Sequence, residues 1–256
     1  MIVYKYLHPD RIDVLRNNKI RFTQPAALND PFEVMPNLRE IRRFFEKLTK
    51  HLGQAAAFVA SGDHFVSIDQ TVTDTFGRWN PDNASELAFL SVSKKRNNLL
   101  MWSHYCDSHR GFTLGFDSTH SFFSEPKPGL KSILREITYS HARPVMPAPD
   151  ADPEAFFRAN TNILTKSQHW AYEEELRMCA SPTAADETKL GLNGEPIYLF
   201  RFPVEALREV ILGFRMLNEH KDAILQILRD EYRNAKVYET ALNESDYDLD
   251  VRPIAN

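Results

Sequence analysis

Cysteine is scarce in this sequence: Cys106 and Cys179 are the only two among 256 residues. Separated by most of a domain, they supply no disulfide framework, and that usage fits a reducing compartment. Any run of ~18 apolar residues able to span a bilayer is also missing. The opening Met1-Ile2-Val3-Tyr4-Lys5-Tyr6 lacks the apolar run of a signal peptide, so a soluble, cytoplasmic chain without a membrane partner is expected. Charge of one sign is lacking too. A net charge of -4 and a pI near 6.1 exert no global pull on nucleic acid or anionic membrane, leaving only a local basic groove for such a partner. No repeat, heptad array or low-complexity block occurs. Absence of G-x-G-x-x-G and of a P-loop disfavours Rossmann enzymes and P-loop NTPases, and absence of G-x-S-x-G removes the serine-hydrolase elbow. Neither C-x-x-C nor H-E-x-x-H is present. His104 and His109 flank Asp107 at a spacing that one helix would not aim at a single zinc ion, so no bound metal is expected.

What is present can build a core. Apolar residues make up 43% and charged residues 26%, suited to one domain over residues 1–256 with 61–83 as a lid or insertion. Strands are expected at 2–7, 19–23, 87–93, 111–116, 134–139, 172–178, 197–202 and 210–214, with an edge strand at 237–241. Helices are expected at 9–17, at 37 to about 60, from Asn97 to about 107, from 152 toward 168, and at 218 to about 234. Residues 24–33 and 181–194 read as loops, the first holding the turn-forming Asn29-Asp30-Pro31. Many short strands with helices between them predict an α+β fold: a central mixed, mostly antiparallel sheet, single or split into two packed sheets, with helices around it.

The stretch Lys166-Ser167-Gln168-His169-Trp170-Ala171-Tyr172-Glu173-Glu174-Glu175-Leu176-Arg177-Met178 concentrates the chemistry. If Tyr172 to Met178 is extended, Glu173, Glu175 and Arg177 share one face and Tyr172, Glu174, Leu176 and Met178 the other. Carboxylates so close repel unless a cation joins them, and Arg177 and Lys166 are the nearby choices. A solvated edge strand would carry the same pattern. Trp170 and Tyr172 beside the acids favour a cleft wall instead.

Dispersed strands then contribute Lys5, Tyr6, Arg21, Ser91 and Ser93 to a cleft with Glu173 and Glu175, while Trp102, His104, Tyr105 and Trp170 supply aromatic lining. That set suits cleavage of a nicotinamide–riboside bond through an oxocarbenium-like transition state. One carboxylate would hold the ribose and stabilise developing positive charge, a second would act on the acceptor, and a cation would bind pyrophosphate. A competing reading is a divalent-metal phosphodiesterase or nuclease, with Glu173, Glu175 and Asp30 or Glu33 holding Mg²⁺ and Arg177 or Lys166 opposing the phosphate. A third is a non-catalytic sensor or interaction protein whose acids and bases form a buried structural network.

Two resemblances follow from these residues. Tyr4-Lys5-Tyr6, Arg21-Phe22 through Leu28-Asn29-Asp30-Pro31-Phe32-Glu33, Met101-Trp102-Ser103-His104-Tyr105 through His109-Arg110-Gly111-Phe112, and Trp170-Ala171-Tyr172-Glu173-Glu174-Glu175-Leu176-Arg177 resemble, over nearly the whole chain, a large bacterial family of uncharacterised domains. The order of elements also resembles ADP-ribosyltransferases of the arginine-serine-glutamate type, with Ser91-Val92-Ser93 similar to the serine motif and Glu173-Glu174-Glu175 supplying the acidic pair. That resemblance implies an ADP-ribosyltransferase-like fold and an NAD-consuming enzyme, a bacterial toxin or defence effector, that modifies a protein or nucleic acid. Glu175 would be the catalytic acid, Glu173 would act on the acceptor, Ser91 and Ser93 would position ribose and nicotinamide, and Lys5 or Arg21 would contact phosphate. A lysine on the first strand departs from the arginine of those enzymes, because it cannot grip a phosphate bidentately.

Overall fold

A computed structural model describes residues 1–35, 37–40, 43, 58–61, 64–67, 87–125, 133–144 and 163–254. The chain forms two compact units: Met1–Thr23 with Ala88–Glu136 and Tyr172–Asn256, and Gln24–Leu87 with Ile137–Ala171.

The first unit is built on an eight-stranded sheet. Its strands are β1 (Ile2–Leu7), β5 (Ala88–Ser93), β6 (Phe112–Asp117), β7 (Arg135–Glu136), β10 (Glu175–Ala180), β13 (Leu207–Leu212), β14 (Lys236–Leu242) and β15 (Leu249–Pro253), in the spatial order β15-β14-β13-β6-β1-β5-β10-β7. All neighbours are antiparallel except β13 and β14. A parallel pair needs a crossover. Helix α4 (Asn218–Glu231) provides it, burying Ile224 and Leu228 one turn apart. A second sheet, β11 (Glu187–Leu190), β12 (Pro196–Arg201) and β2 (Lys19–Phe22), sends Ile20, Phe22 and Phe200 into the same apolar cluster as Leu90 and Phe116. The fold is therefore α+β, with a large, mostly antiparallel mixed sheet and a smaller one packed on it.

Strand alternation sorts the large sheet into two unlike faces. Val3, Leu90, Val92, Leu114, Leu176, Met178 and Val210 belong to the main apolar cluster. The other face carries Tyr4, Tyr6, Met101, Trp102, Cys106 and Ile211 in a second cluster, together with the polar side chains of the candidate site. Helix α2 (Leu99–Tyr105) supplies Met101 and Trp102 to that second cluster. Asn98, not Asn97, caps it: Asn98 Oδ1 accepts from Leu100 and Met101 N–H at 3.0 and 3.1 Å. Asn97 instead donates to Asp248. The helix stops because Asp107, Ser108 and His109 all take left-handed φ, at 46, 52 and 71°.

The second unit contains two small described sheets, a hairpin of β3 (Phe58–Ser61) with β4 (His64–Ser67) and a parallel pair of β8 (Thr138–Ser140) with β9 (Thr165–Ser167). Asn37 caps a helical start at 38–40, as its spacing predicts. Residues 58–61 are extended where a helix was expected to end. The reason is visible in the sequence, where Phe58-Val59 and Phe65-Val66 are β-forming pairs. The rest of the expected helix over 37–60, most of the proposed 61–83 lid, and the 152–162 part of the next helix lie outside the described residues.

Other expectations are corrected. Strands β1 and β2, expected on either side of a helix at 9–17, enter different sheets. The expected strand 134–139 divides into β7 and β8, and the loop 181–194 contains β11. The supposed edge strand near 237–241 is flanked on both sides, because Leu249–Pro253 pairs with it.

Close packing at one position makes a test. A Cβ on Gly111 would lie 2.0 Å from the Leu7 carbonyl oxygen and 2.9 Å from Cys106 Cα, both backbone atoms with little freedom to move. Gly111→Ala is expected to destabilise the protein by about 2 kcal/mol or more, the scale of overpacking, read as a lower denaturant midpoint with an unchanged slope.

Candidate functional site

The acidic stretch does not form one strand. Gln168–Glu173 is a 3-10 turn and β10 begins at Glu175. Between them Glu174 adopts φ 42°, a left-handed conformation that a residue with a Cβ adopts only at a cost. Glu173 thus reaches the site from the turn and Glu175 from the strand. This replaces the expected alternation of Glu173, Glu175 and Arg177 along one extended face. The joint is fastened by Lys94 N–H donating to Glu174 O at 3.1 Å and by Asn98 Nδ2 donating to Tyr172 O at 2.7 Å.

Both carboxylates are enclosed: Glu173 is 3% exposed, Glu175 4% and Arg177 0%. Glu175 and Arg177 share a strand face, and Arg177 Nε and Nη2 each lie 2.9 Å from Glu175 Oε1. Register places Ser93 opposite Glu175 and Ser91 opposite Arg177. The Arg177 guanidinium also lies 5.1 Å from the Phe89 ring centre, a cation–π contact on the same face. Tyr105 donates its hydroxyl to Glu173 Oε1 at 2.5 Å, the short distance of a charge-assisted bond. At the surface, exposed His104 brings Nδ1 to 3.2 Å from the Tyr172 hydroxyl and meets that ring edge-on at 6.1 Å. Tyr6 packs edge-to-face on Trp102 at 5.6 Å and donates to Lys95 O at 2.7 Å, while Trp102 Nε1 donates to Arg96 O. Ser93 Oγ accepts from Lys95 N–H at 3.0 Å. The serine strand and its following loop are therefore pinned to the aromatic cluster.

Three expected members stand elsewhere. Lys5 falls by alternation on the face of Val3 and Leu7, not that of Tyr4 and Tyr6, and its ammonium donates to the Ser91 carbonyl at 3.0 Å. Arg21 lies on β2 of the smaller sheet. Burial, and then neighbouring Arg11, lower its pKa, and Nε is buried without a hydrogen-bond partner among the described residues. Trp170 belongs to the second unit, where Lys166 Nζ sits 5.0 Å from its ring centre. Lys166 likewise lies 3.8 Å from Glu33 Oε2 within that unit.

The sequence reading passed over two groups. Tyr105 was expected only as aromatic lining, and its partner lies 68 residues away, beyond any local pattern. Farther along the same sheet face, Tyr4 donates to buried Glu209. Burial, and then that bond, push the Tyr4 phenol pKa up. Cys106 and Cys179 are both buried free thiols, and burial pushes Cys106 up, which leaves it a structural residue. Among the described residues no group of three His, Cys, Asp or Glu side chains is placed to hold a metal ion, and no helix is long and apolar enough to cross a membrane.

Breaking one side of the enclosed pair leaves an uncompensated charge. Arg177→Met is expected to cost about 3–5 kcal/mol, with much of that loss recovered in Arg177→Met/Glu175→Gln, so a double-mutant cycle of denaturant unfolding would give a large coupling energy. Additive losses would show that the pair does not act as a unit.

Residues 101–178 match the model of a family described as a protein of unknown function, DUF2971. The match runs from Met101 to Met178, and so includes Tyr105, Glu173, Glu175 and Arg177. The Tyr4-Lys5-Tyr6 and Leu28–Glu33 motifs, expected to belong to a whole-chain resemblance, lie outside it. No curated protein and no solved structure matches the chain, and none of these comparisons connects it to ADP-ribosyltransferases.

Proposed function

We propose that the first unit is an NAD-consuming glycosyl-transfer enzyme of ADP-ribosyltransferase type, with Glu175 and Glu173 as its working carboxylates. The observation that carries this reading is the bracing of two enclosed carboxylates by different donors, Glu175 by Arg177 and Glu173 by Tyr105. An oxocarbenium-like transition state calls for a fixed negative charge in a site where Coulomb interactions are little screened. Arg177 fixes the orientation of Glu175 beside Ser93.

In the step itself the bond between nicotinamide nitrogen and the ribose anomeric carbon breaks, and its electron pair leaves with nicotinamide. Glu175 stabilises the positive charge that develops on the ribose. A lone pair of the acceptor forms the new bond to the anomeric carbon, and Glu173 takes the acceptor's proton. Phosphate binding falls to the loop after Ser93 and not to Lys5 or Arg21. Its Lys95 is exposed and pairs with Glu174 at 3.3 Å, an ion pair that an incoming phosphate can displace.

The degree of enclosure favours a second reading, a sensor or interaction protein in which Glu173, Glu175 and Arg177 only hold the fold together. Nicotinamide release from NAD separates the two. With lysate and nucleic acid supplied as acceptors, the protein is expected to release nicotinamide in EDTA, and Glu175→Gln to reduce the rate by about a hundredfold or more while remaining folded. Full activity in Glu175→Gln, or no release under any acceptor condition, would reject the enzyme reading.

A further inference from the structure

We propose that the second unit binds a nucleobase bearing an exocyclic amine, as a nucleoside or mononucleotide, in a cavity walled by the Asp30–Glu33 turn and the β8–β9 pair. This inference rests on the second unit alone and does not depend on NAD consumption by the first. The cavity measures about 260 Å³. By liquid volume that is roughly nine waters, enough for a planar ring system and too little for a dinucleotide.

Its walls are rich in acceptors. Asp30 and Glu33 line it, and each is only 6% exposed. The turn is closed by Phe32 N–H donating to Asp30 Oδ1 at 2.8 Å and Glu33 N–H donating to Asp30 O at 3.1 Å. Among the described residues the Phe32 N–H is the one hydrogen-bond donor to the Asp30 carboxylate, and it meets Oδ1, so Oδ2 borders the cavity. A carboxylate oxygen facing a cavity is best met by a ligand that brings a donor. Two carboxylates are balanced by two cations in the same lining, Lys166 and Arg143. With the charges balanced, selectivity falls to the hydrogen-bond donors a ligand brings to the two acids, which an exocyclic amine supplies.

A stacking surface stands beside the acceptors. Phe32 is 57% exposed, unusual for its size, and the Arg143 guanidinium lies 5.6 Å from its ring centre. A ring and a guanidinium plane side by side are the surfaces on which bases stack. Ser167 Oγ, 3.0 Å from His169 Nδ1, and Ser140 complete the polar lining, offering partners to a sugar hydroxyl.

The test is titration calorimetry on the full chain with adenosine, cytidine, guanosine and uridine monophosphates, the last lacking the amine. At least one amine-bearing nucleotide is expected to bind about tenfold or more tightly than uridine monophosphate. Asp30→Asn is expected to erase most of that preference, and Phe32→Ala, at an exposed side chain, to weaken every nucleotide several-fold without lowering the melting temperature. Glu175→Gln protein is expected to bind as the parent does. Equal binding of uridine monophosphate, no binding of any nucleotide, unchanged affinity in Phe32→Ala, or binding lost in Glu175→Gln would each overturn the proposal. Nicotinamide release that fails while nucleotide binding survives would reject only the enzymatic reading of the first unit.

Discussion

The Glu175–Arg177 pair is the constraint around which the first unit is arranged. Strand β10 is buried at every position from Glu175 to Ala180, so its charged face has no water to fall back on. Moving a carboxylate and a guanidinium out of water costs several kcal/mol per ion, which their mutual attraction offsets only with good geometry and further hydrogen bonds. The sheet supplies those conditions. Ser91 and Ser93 stand opposite the pair, Phe89 offers its ring to the guanidinium, and α2 carries Trp102 and Tyr105 toward the same face. The opposite face of β10 needs none of this, because Leu176, Met178 and Ala180 join the main apolar cluster.

That division explains which parts of the fold could be read from sequence. Strands β1, β5, β6, β12 and β13 and helix α4 announce themselves by β-branched and aromatic runs or by apolar residues one helical turn apart. Pairing of Glu175 with Arg177 was legible for the same reason, since residues two apart share a strand face. The face of Lys5 was equally legible, because Val3 and Leu7 flank it with apolar side chains. Strands β11 and β15 were not legible. Glu187-Thr188-Lys189-Leu190 is a short, exposed, polar strand defined by its partner β12, not by a pattern of its own.

The break at Glu174 marks the limit of local reasoning most clearly. Nothing in Glu173-Glu174-Glu175 signals a left-handed residue, for which glycine or asparagine would be the usual sign. The conformation is imposed by partners distant in sequence: Lys94 on the carbonyl of Glu174, Asn98 on the carbonyl of Tyr172, Tyr105 on the carboxylate of Glu173. Each comes from the segment between β5 and β6, about 70 residues or more from the turn in sequence. A one-residue strain is tolerated because three independent hydrogen bonds determine the turn on either side of it.

The two sets of acids differ in the way their oxygens are used. In the first unit a carboxylate oxygen of each acid is held by an internal donor of fixed position, the arrangement of a charge kept still while something else changes around it. In the second unit Asp30 spends one oxygen on its own turn, and both its acids border a cavity balanced by Lys166 and Arg143. An acceptor set beside open volume and an exposed ring discriminates by which donors a visitor brings, since a visitor without them leaves buried polar groups unmet. Catalytic stabilisation wants a carboxylate already held in place, whereas recognition wants acceptors that border open volume. On that physical ground we propose the reaction at Glu173 and Glu175 and base recognition at Asp30.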